Sequence, residues 1–189
     1  MRITGGTFRG RTITAPDGLD TRPTSDRVRQ ALFNILMHHE WGEAIGNAID
    51  GKVVLDAFAG TGALGIEALS QGASRAYFFE KDRKALDALN ANIAALKLQK
   101  TTNVMPIDIK RAPMAKEPAA LVFFDPPYRK GLTEAALQTL STQGWIAPHA
   151  LLVCETSKGE ALTLPATSTH HLTRTYGDTD VHFWEWVGS

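Results

Sequence analysis

Residues 53–65 read VVLDAFAGTGALG. An apolar run, the expected strand over residues 53–58, passes through a glycine turn into Leu64, Ala68 and Leu69 at helical spacing, the first half of a βαβ unit. Gly60 and Gly62 remove Cβ atoms where backbone must come close to a ligand, and the N–H groups of the following helix face whatever binds there. A nucleotide-like ligand fits. Residues 60–65 also satisfy G-x-G-x-x-G, and Glu80 ends the next expected strand twenty residues after Gly60, where an acid accepts ribose hydroxyls. The pattern alone leaves NAD and other adenosine cofactors open. Asp56 separates them, because a carboxylate at the tip of the first strand repels a pyrophosphate and attracts a cation. S-adenosylmethionine carries an ammonium and a sulfonium beside its adenosine, so it is the favoured ligand. The plainer reading of the same residues is a helix-capping aspartate with packing glycines.

With 189 residues, 43% of them hydrophobic, the chain can bury one sizeable core. No apolar run approaches a membrane span, and the first residues lack the apolar region of a signal peptide, so a cytoplasmic protein is expected. The single cysteine, Cys154, sits in the apolar run LLVCE and reads as part of a buried strand. Among the six histidines, His38 and His39, and likewise His170 and His171, are neighbours without cysteine partners, so no metal site is expected. Lys+Arg and Asp+Glu balance at 20 each. The distribution is uneven, however: the first 29 residues hold six arginines against three acids. That local excess points to an amino end facing nucleic acid.

Residues 2–14 contain two short β-prone runs separated by glycines, which predicts a hairpin with arginines at its turn. It reads as an appendage, residues 1–20, facing RNA in front of a main domain over residues 21–189. A turn is expected over residues 15–18. In TRPTSDRVRQALFNIL, residues 21–36, Pro23 precedes a helix cap at Thr24 or Ser25, and Val28, Ala31, Leu32, Ile35 and Leu36 keep one apolar face. Arg27 and Arg29 lie near the helix start, where the dipole disfavours a cation by about 0.3–1 kcal/mol, so a phosphate or carboxylate partner is expected unless both reach into solvent. Residues 38–51 read as a connection with a short helical piece. Strands at 75–80, 102–107, 119–124 and 150–155 then alternate with helices at 63–71, 82–98 and 132–142, predicting a doubly wound, Rossmann-like parallel sheet. Residues 170–175 and 181–186 alternate apolar and polar positions around a turn, the pattern of an antiparallel hairpin.

Asp125, Pro126, Pro127 and Tyr128 follow the fourth strand, at the same carboxyl edge of the sheet as the glycine turn, where open α/β sheets bind ligands. Two prolines fix φ and donate no N–H, which leaves carbonyl oxygens rigidly presented. Acid, carbonyls and ring suit one task, holding an exocyclic amino group: its N–H bonds donate to the Asp125 carboxylate and the Pro126 carbonyl while Tyr128 stacks on the base.

DPPY after strand four, with D-x-F-x-G-x-G after strand one, resembles the S-adenosylmethionine-dependent amino methyltransferases that act on nucleobases. RITGG at residues 2–6, the Gly10 and Arg11 pair, TRPTSDRVRQALFN at 21–34 and FAGTGALGIEAL at 58–69 narrow the likeness. Over essentially its whole length the chain is similar to the RsmD family, bacterial guanine-N2 methyltransferases of small-subunit ribosomal RNA. DPPY alone would also fit adenine-N6 and cytosine-N4 enzymes, so the amino-terminal signature carries the guanine assignment. The resemblance implies that Asp56 and the turn at Phe58, Ala59, Gly60, Thr61 and Gly62 hold the methionine end of S-adenosylmethionine. Glu80 would take the ribose hydroxyls and Asp108, ending strand three, the adenine amino group, with Thr24 and Arg22 closing over the cofactor. Asp125, Pro126, Pro127 and Tyr128 would carry the chemistry, and Arg2, Arg9, Arg11, Arg22, Arg27, Arg29, Arg129 and Lys130 would meet RNA phosphates. The partner implied is ribosomal RNA within an assembling small subunit, met by a monomer without membrane or metal.

Competing functions are each weaker. A hydride-transferring NAD enzyme leaves the DPPY stretch unexplained, and a DNA amino methyltransferase would need a target-recognition domain of a size this chain lacks. A ribosome-assembly protein without catalysis would show a damaged motif, whereas Asp56, Glu80, Asp125, Pro126 and Tyr128 are all present.

Overall fold

Apolar strand residues alternate between two faces, and each face finds its own helical cover. In the computed structural model, which describes residues 1–15, 25–127 and 131–188, the strands are β1 (Val53–Asp56), β2 (Arg75–Phe79), β3 (Thr102–Met105), β4 (Ala119–Phe124), β5 (Ile146–Ser157), β6 (Ser168–Tyr176) and β7 (Thr179–Trp186). They form one sheet in the order β3-β2-β1-β4-β5-β7-β6. The pairs from β3 to β5 are parallel, whereas β7 runs antiparallel to both β5 and β6. The carboxy-terminal hairpin therefore folds back, inserting its second strand beside β5. The fold class is as read from the sequence, a Rossmann-like α/β sheet closed by an antiparallel hairpin.

On one face Val54, Phe78, Leu121, Phe123, Val153 and Phe183 pack under α1 (Asp26–His38), α2 (Ala63–Ser70) and α3 (Arg83–Ala95). On the other, Leu55, Phe79, Val122, Phe124 and Leu152 pack under α4 (Leu132–Thr142), the 3-10 turn Ile109–Arg111 and Trp145. The period-two alternation of each strand makes this division. Cys154 is fully buried on the second face, where loss of solvation pushes its thiol up and leaves it inert, as its flanks suggested. The expected helical piece within residues 38–51 is not formed; that stretch runs in turns from which Trp41 and Ile45 reach the core.

The amino-terminal segment does not stand off as an appendage. Its two arms pair antiparallel, Ile3 N–H to the Arg11 carbonyl at 2.9 Å and Ile13 N–H to the Met1 carbonyl at 2.9 Å, around the 3-10 turn Gly6–Phe8. Ile3 and Ile13 both belong to the core under α1 to α3. The Gly5 and Gly6 pair is required by contact: a Cβ on Gly6 would lie 1.7 Å from the Ser70 carbonyl oxygen, and one on Gly5 would strike the Gln71 side chain. The segment thus lies directly on the carboxyl end of α2.

What clamps it there is a buried charge. Glu67 of α2, fully buried, accepts the Thr4 N–H, the Thr4 hydroxyl and the Gly5 N–H at 2.8–3.1 Å, and Arg29 Nε donates to it at 3.2 Å. Arg29 also bonds Asp26 at 2.9 Å and the Arg2 carbonyl. The expectation that Arg29 meets RNA is corrected by this. It faces inward from α1, is fully buried, and takes carboxylates as the partners that its place near the helix start called for. Arg29→Ala is expected to destabilise the protein by about 3–5 kcal/mol, because the Glu67 carboxylate stays buried without its counter-ion. Urea denaturation reads this, and unchanged stability would mean that the pair does not clamp the segment.

Candidate active site

Three strand tips converge at the carboxyl edge of the sheet. β1 ends at Asp56, β2 leads into Glu80, and β4 leads into Asp125, with β1 hydrogen-bonded between the other two. A cavity of about 480 Å³ opens there, within the size range of small-molecule sites. Its wall includes Phe58, Gly60, Glu80, Asp108, Asp125 and Pro127. Two of the three expected cofactor acids, Glu80 and Asp108, therefore share one space with Asp125 and Pro127. Pro126 turns to a smaller neighbouring pocket with Thr133, Glu134 and Glu155. Thr24, Arg22, Tyr128, Arg129 and Lys130 lie outside the described residues.

The glycines divide their duties differently from the sequence expectation. Gly60, at φ +54, would place a Cβ into open space, as suits a backbone kept bare for a ligand. Gly62 is glycine for packing: at φ +82 its Cβ would lie 2.3 Å from Leu89 Cδ1 of α3. Gly65 likewise seats the helix on the sheet, since a Cβ there would lie 2.4 Å from the Phe78 ring. Ala59, Thr61 and Gly62 form the turn behind the cavity wall rather than the wall itself.

Glu80 is held ready by backbone. It accepts N–H bonds from Gly60, Lys81 and Asp82, each at 2.8 Å. With roughly four lone-pair positions, the carboxylate keeps capacity for a ligand hydroxyl. Asp108 accepts the Lys110 N–H at 3.0 Å and pairs with Lys81 Nζ at 2.8 Å, and the Lys81 bond is the first cause holding its carboxyl below the ordinary range. Lys81 was missed in the sequence, where a lysine following Glu80 reads as solvated surface. Ile107, Ile109 and Phe79 give the same corner apolar walls, and Leu132 and Ala136 of α4 close the far side.

Asp56 does not line the cavity. It is 1% exposed and accepts the Gly65 N–H at 3.1 Å, so it caps α2 from the neighbouring strand. Burial, followed by the nearby charges of Asp125 and Glu80, raises its pKa to about 7. Its action on a ligand is therefore through its field. The capping role also bears on NAD. Gly60 N–H is taken by Glu80, Gly62 N–H by the Ala59 carbonyl at 2.7 Å, and Gly65 N–H by Asp56, so donors that would cradle a pyrophosphate are committed, two of them to acids. The turn favours a cationic ligand.

Of the expected RNA contacts, Arg2, Arg9, Arg11 and Arg27 have exposed side chains, and Arg11 donates to the Ala95 carbonyl at 3.2 Å. Among the described residues no helix is long and apolar enough to cross a membrane, and no group of three or more His, Cys, Asp or Glu could hold a metal ion.

The chain is 38% identical to ribosomal RNA small subunit methyltransferase D of Escherichia coli over 94% of its own length and 85% of that protein. It is 35% identical to the protein of the same name from Haemophilus influenzae, covering 87% of this chain and 83% of the other. A solved Escherichia coli structure described as a candidate methyltransferase superposes with a TM-score of 0.84 at 34% identity, covering 100% of this chain and 99% of that one. The family model described as Conserved hypothetical protein 95 matches residues 1–185. The chain belongs to that family, the RsmD family.

Proposed function

We propose that the protein transfers a methyl group from S-adenosylmethionine to the exocyclic N2 of a guanine in small-subunit ribosomal RNA. The observation that carries this is the shared cavity, which Glu80 and Gly60 wall on one side and Asp125 and Pro127 on the other. The names of the relatives support ribosomal RNA as the substrate class, and the amino-terminal signature RITGG supports guanine-N2.

The residues fit the cofactor by their chemistry. Glu80 is oriented for ribose hydroxyls, Asp108 beside Ile107 and Ile109 for an adenine edge, and bare Gly60 for close approach. When bound, S-adenosylmethionine supplies an electrophilic methyl on a sulfonium. Asp125, on the cavity wall, would accept one N–H of the target amino group, and the motif implies the Pro126 carbonyl, reached on base entry, for the other, which draws the nitrogen lone pair out of ring conjugation and directs it. Transfer of that methyl to nitrogen would break its bond to sulfur, leave a neutral thioether and make the target nitrogen acidic, so its proton could pass to water without a strong base from the chain. Extruding the guanine costs a few kcal/mol, and stacking on Tyr128 returns about 1–3 kcal/mol. Most of the rate enhancement then comes from positioning, which can supply about 7–11 kcal/mol. Exposed Arg2, Arg9, Arg11 and Arg27 would meet RNA phosphates, and so would Arg129 and Lys130, which lie outside the described residues.

Asp56 makes the cation preference pH-dependent. Its carboxyl, protonated below about 7, ionises as pH rises past that value. The ratio of affinities for the sulfonium donor over neutral S-adenosylhomocysteine is therefore expected to rise between about pH 6 and 8 and to be flat in Asp56→Asn. Stability runs the opposite way. A raised folded-state pKa contributes stability below the ordinary aspartate range that is lost as pH climbs through about 7. Asp56→Asn should thus stabilise the ligand-free protein at pH 8 and not at pH 4, read by thermal melts at both.

The direct test of function is incubation with methyl-labelled S-adenosylmethionine and small-subunit RNA lacking modifications. Label is expected in N2-methylguanosine. Label in N6-methyladenosine or N4-methylcytidine would overturn the guanine assignment, and no incorporation would overturn the enzyme.

A further inference from the structure

α3 carries a buried amide that joins two parts of the molecule far apart in sequence. Asn92 is 3% exposed among apolar neighbours Leu89 and Ile93. Its Oδ1 accepts the Thr14 N–H at 2.9 Å, and its Nδ2 donates at 3.0 Å both to the Thr14 carbonyl and to the Thr61 carbonyl. Thr61 is the residue between the bare Gly60 and the helix-capping Gly62. The same helix presses Leu89 under Gly62, and its Ala95 carbonyl receives Arg11. The glycine turn is thus braced from behind by one helix, which also grips the amino-terminal segment at residues 11 and 14.

A core helix needs no amide there; a leucine would fill the position without burying polar atoms. Asn92 meets its polar demand with three backbone groups, two of which lie on the segment and one on the turn. Its two donors are split between carbonyls on either side, so one side chain fixes both in the same register. Displacing either partner leaves a buried donor unmade.

The geometry points to Asn92 as a positioning residue for the cofactor. It holds Thr61 so that Gly60 presents its bare backbone to the cavity, and it does so against Thr14 of the amino-terminal segment. Order in that segment and occupancy of the cavity are then linked, since each favours the same setting of the amide. This rests on the proposed cofactor site.

The test uses S-adenosylhomocysteine binding by calorimetry, well below the melting temperature, on the full chain. Asn92→Ala should weaken binding on the order of tenfold. Ile93→Ala, one residue along the same helix and a pure core truncation, should lower the melting temperature while leaving affinity near wild type. Asn92→Asp serves if the alanine variant does not fold: it keeps an acceptor for Thr14 N–H but loses both donations, and should weaken binding similarly. In steady state these losses should appear in KM for the donor more than in kcat at saturation. Wild-type hydrogen exchange gives an independent reading, because ligand should slow exchange of the Thr14 amide, which is not part of the cavity wall. Equal affinity in the Asn92 and Ile93 variants, or a Thr14 amide indifferent to ligand, would overturn the inference. Failure of the wild type itself to bind S-adenosylhomocysteine would instead overturn the proposed function beneath it.

Discussion

Asp125→Ala should slow methylation by about 10²–10³-fold or more at saturating donor while leaving donor affinity nearly unchanged. The loss in rate follows from removing the acceptor that holds the target amino group while positive charge develops on its nitrogen. The retained affinity follows from the coupling of acids around the cavity. Burial is the main cause of the raised Asp56 pKa and the Asp125 charge a lesser one, so removing Asp125 eases ionisation of Asp56 and offsets part of the negative field lost to a cation. Stopped turnover with intact binding would place Asp125 at the acceptor side. A parallel collapse of donor affinity would instead show that Asp125 belongs to the cofactor's own binding set, and the division between the two strand tips would be wrong.

Glu80→Ala should do the reverse and weaken donor binding by about 1.5–3 kcal/mol, roughly 10- to 150-fold. A charged acceptor for ligand hydroxyls is lost, and so is the partner of the Gly60, Lys81 and Asp82 N–H groups that shape the turn. Glu80→Gln separates these effects. Its amide oxygen can still accept from Gly60, but its NH2 would confront the other N–H donors, so an intermediate loss is expected. Calorimetry with S-adenosylhomocysteine measures both, and wild-type affinity in the alanine variant would contradict a ribose-holding role.

The parts of the site legible in the sequence are those set by local chain geometry. A strand ending in an acid, a glycine turn and a helix start place Asp56, Gly60 and Glu80 at one edge whatever the rest of the chain does, and Asp125 follows because parallel strands expose their carboxyl ends together. Ser25 was one of two expected caps and does accept the Val28 N–H, at 3.2 Å. What sequence does not display is pairing across distance. Arg29 meets Glu67 38 residues away, and Asn92 meets Thr14 78 residues away. An arginine near a helix start carries the same local signal whether its partner is a buried carboxylate or a phosphate, so Arg29 read as a contact for RNA phosphate. The glycines were ambiguous for a related reason: Gly60 and Gly62 look alike in the motif, and only Leu89 from the next helix shows that Gly62 answers to packing. The last hairpin was legible as a hairpin, but which of its strands meets β5 is a tertiary matter. β7 lies there because Val181 and Phe183 complete the core on one face while Trp186 packs on the other.

The most direct test is a crystal structure with S-adenosylhomocysteine bound. The expected result is density in the cavity with the ribose at Glu80, the adenine between Ile107 and Ile109 beside Asp108, and the sulfur directed toward Asp125. A ligand seated elsewhere, or one in this cavity with its sulfur turned away from Asp125, would contradict the view that donor and acceptor meet between the tips of β1 and β4.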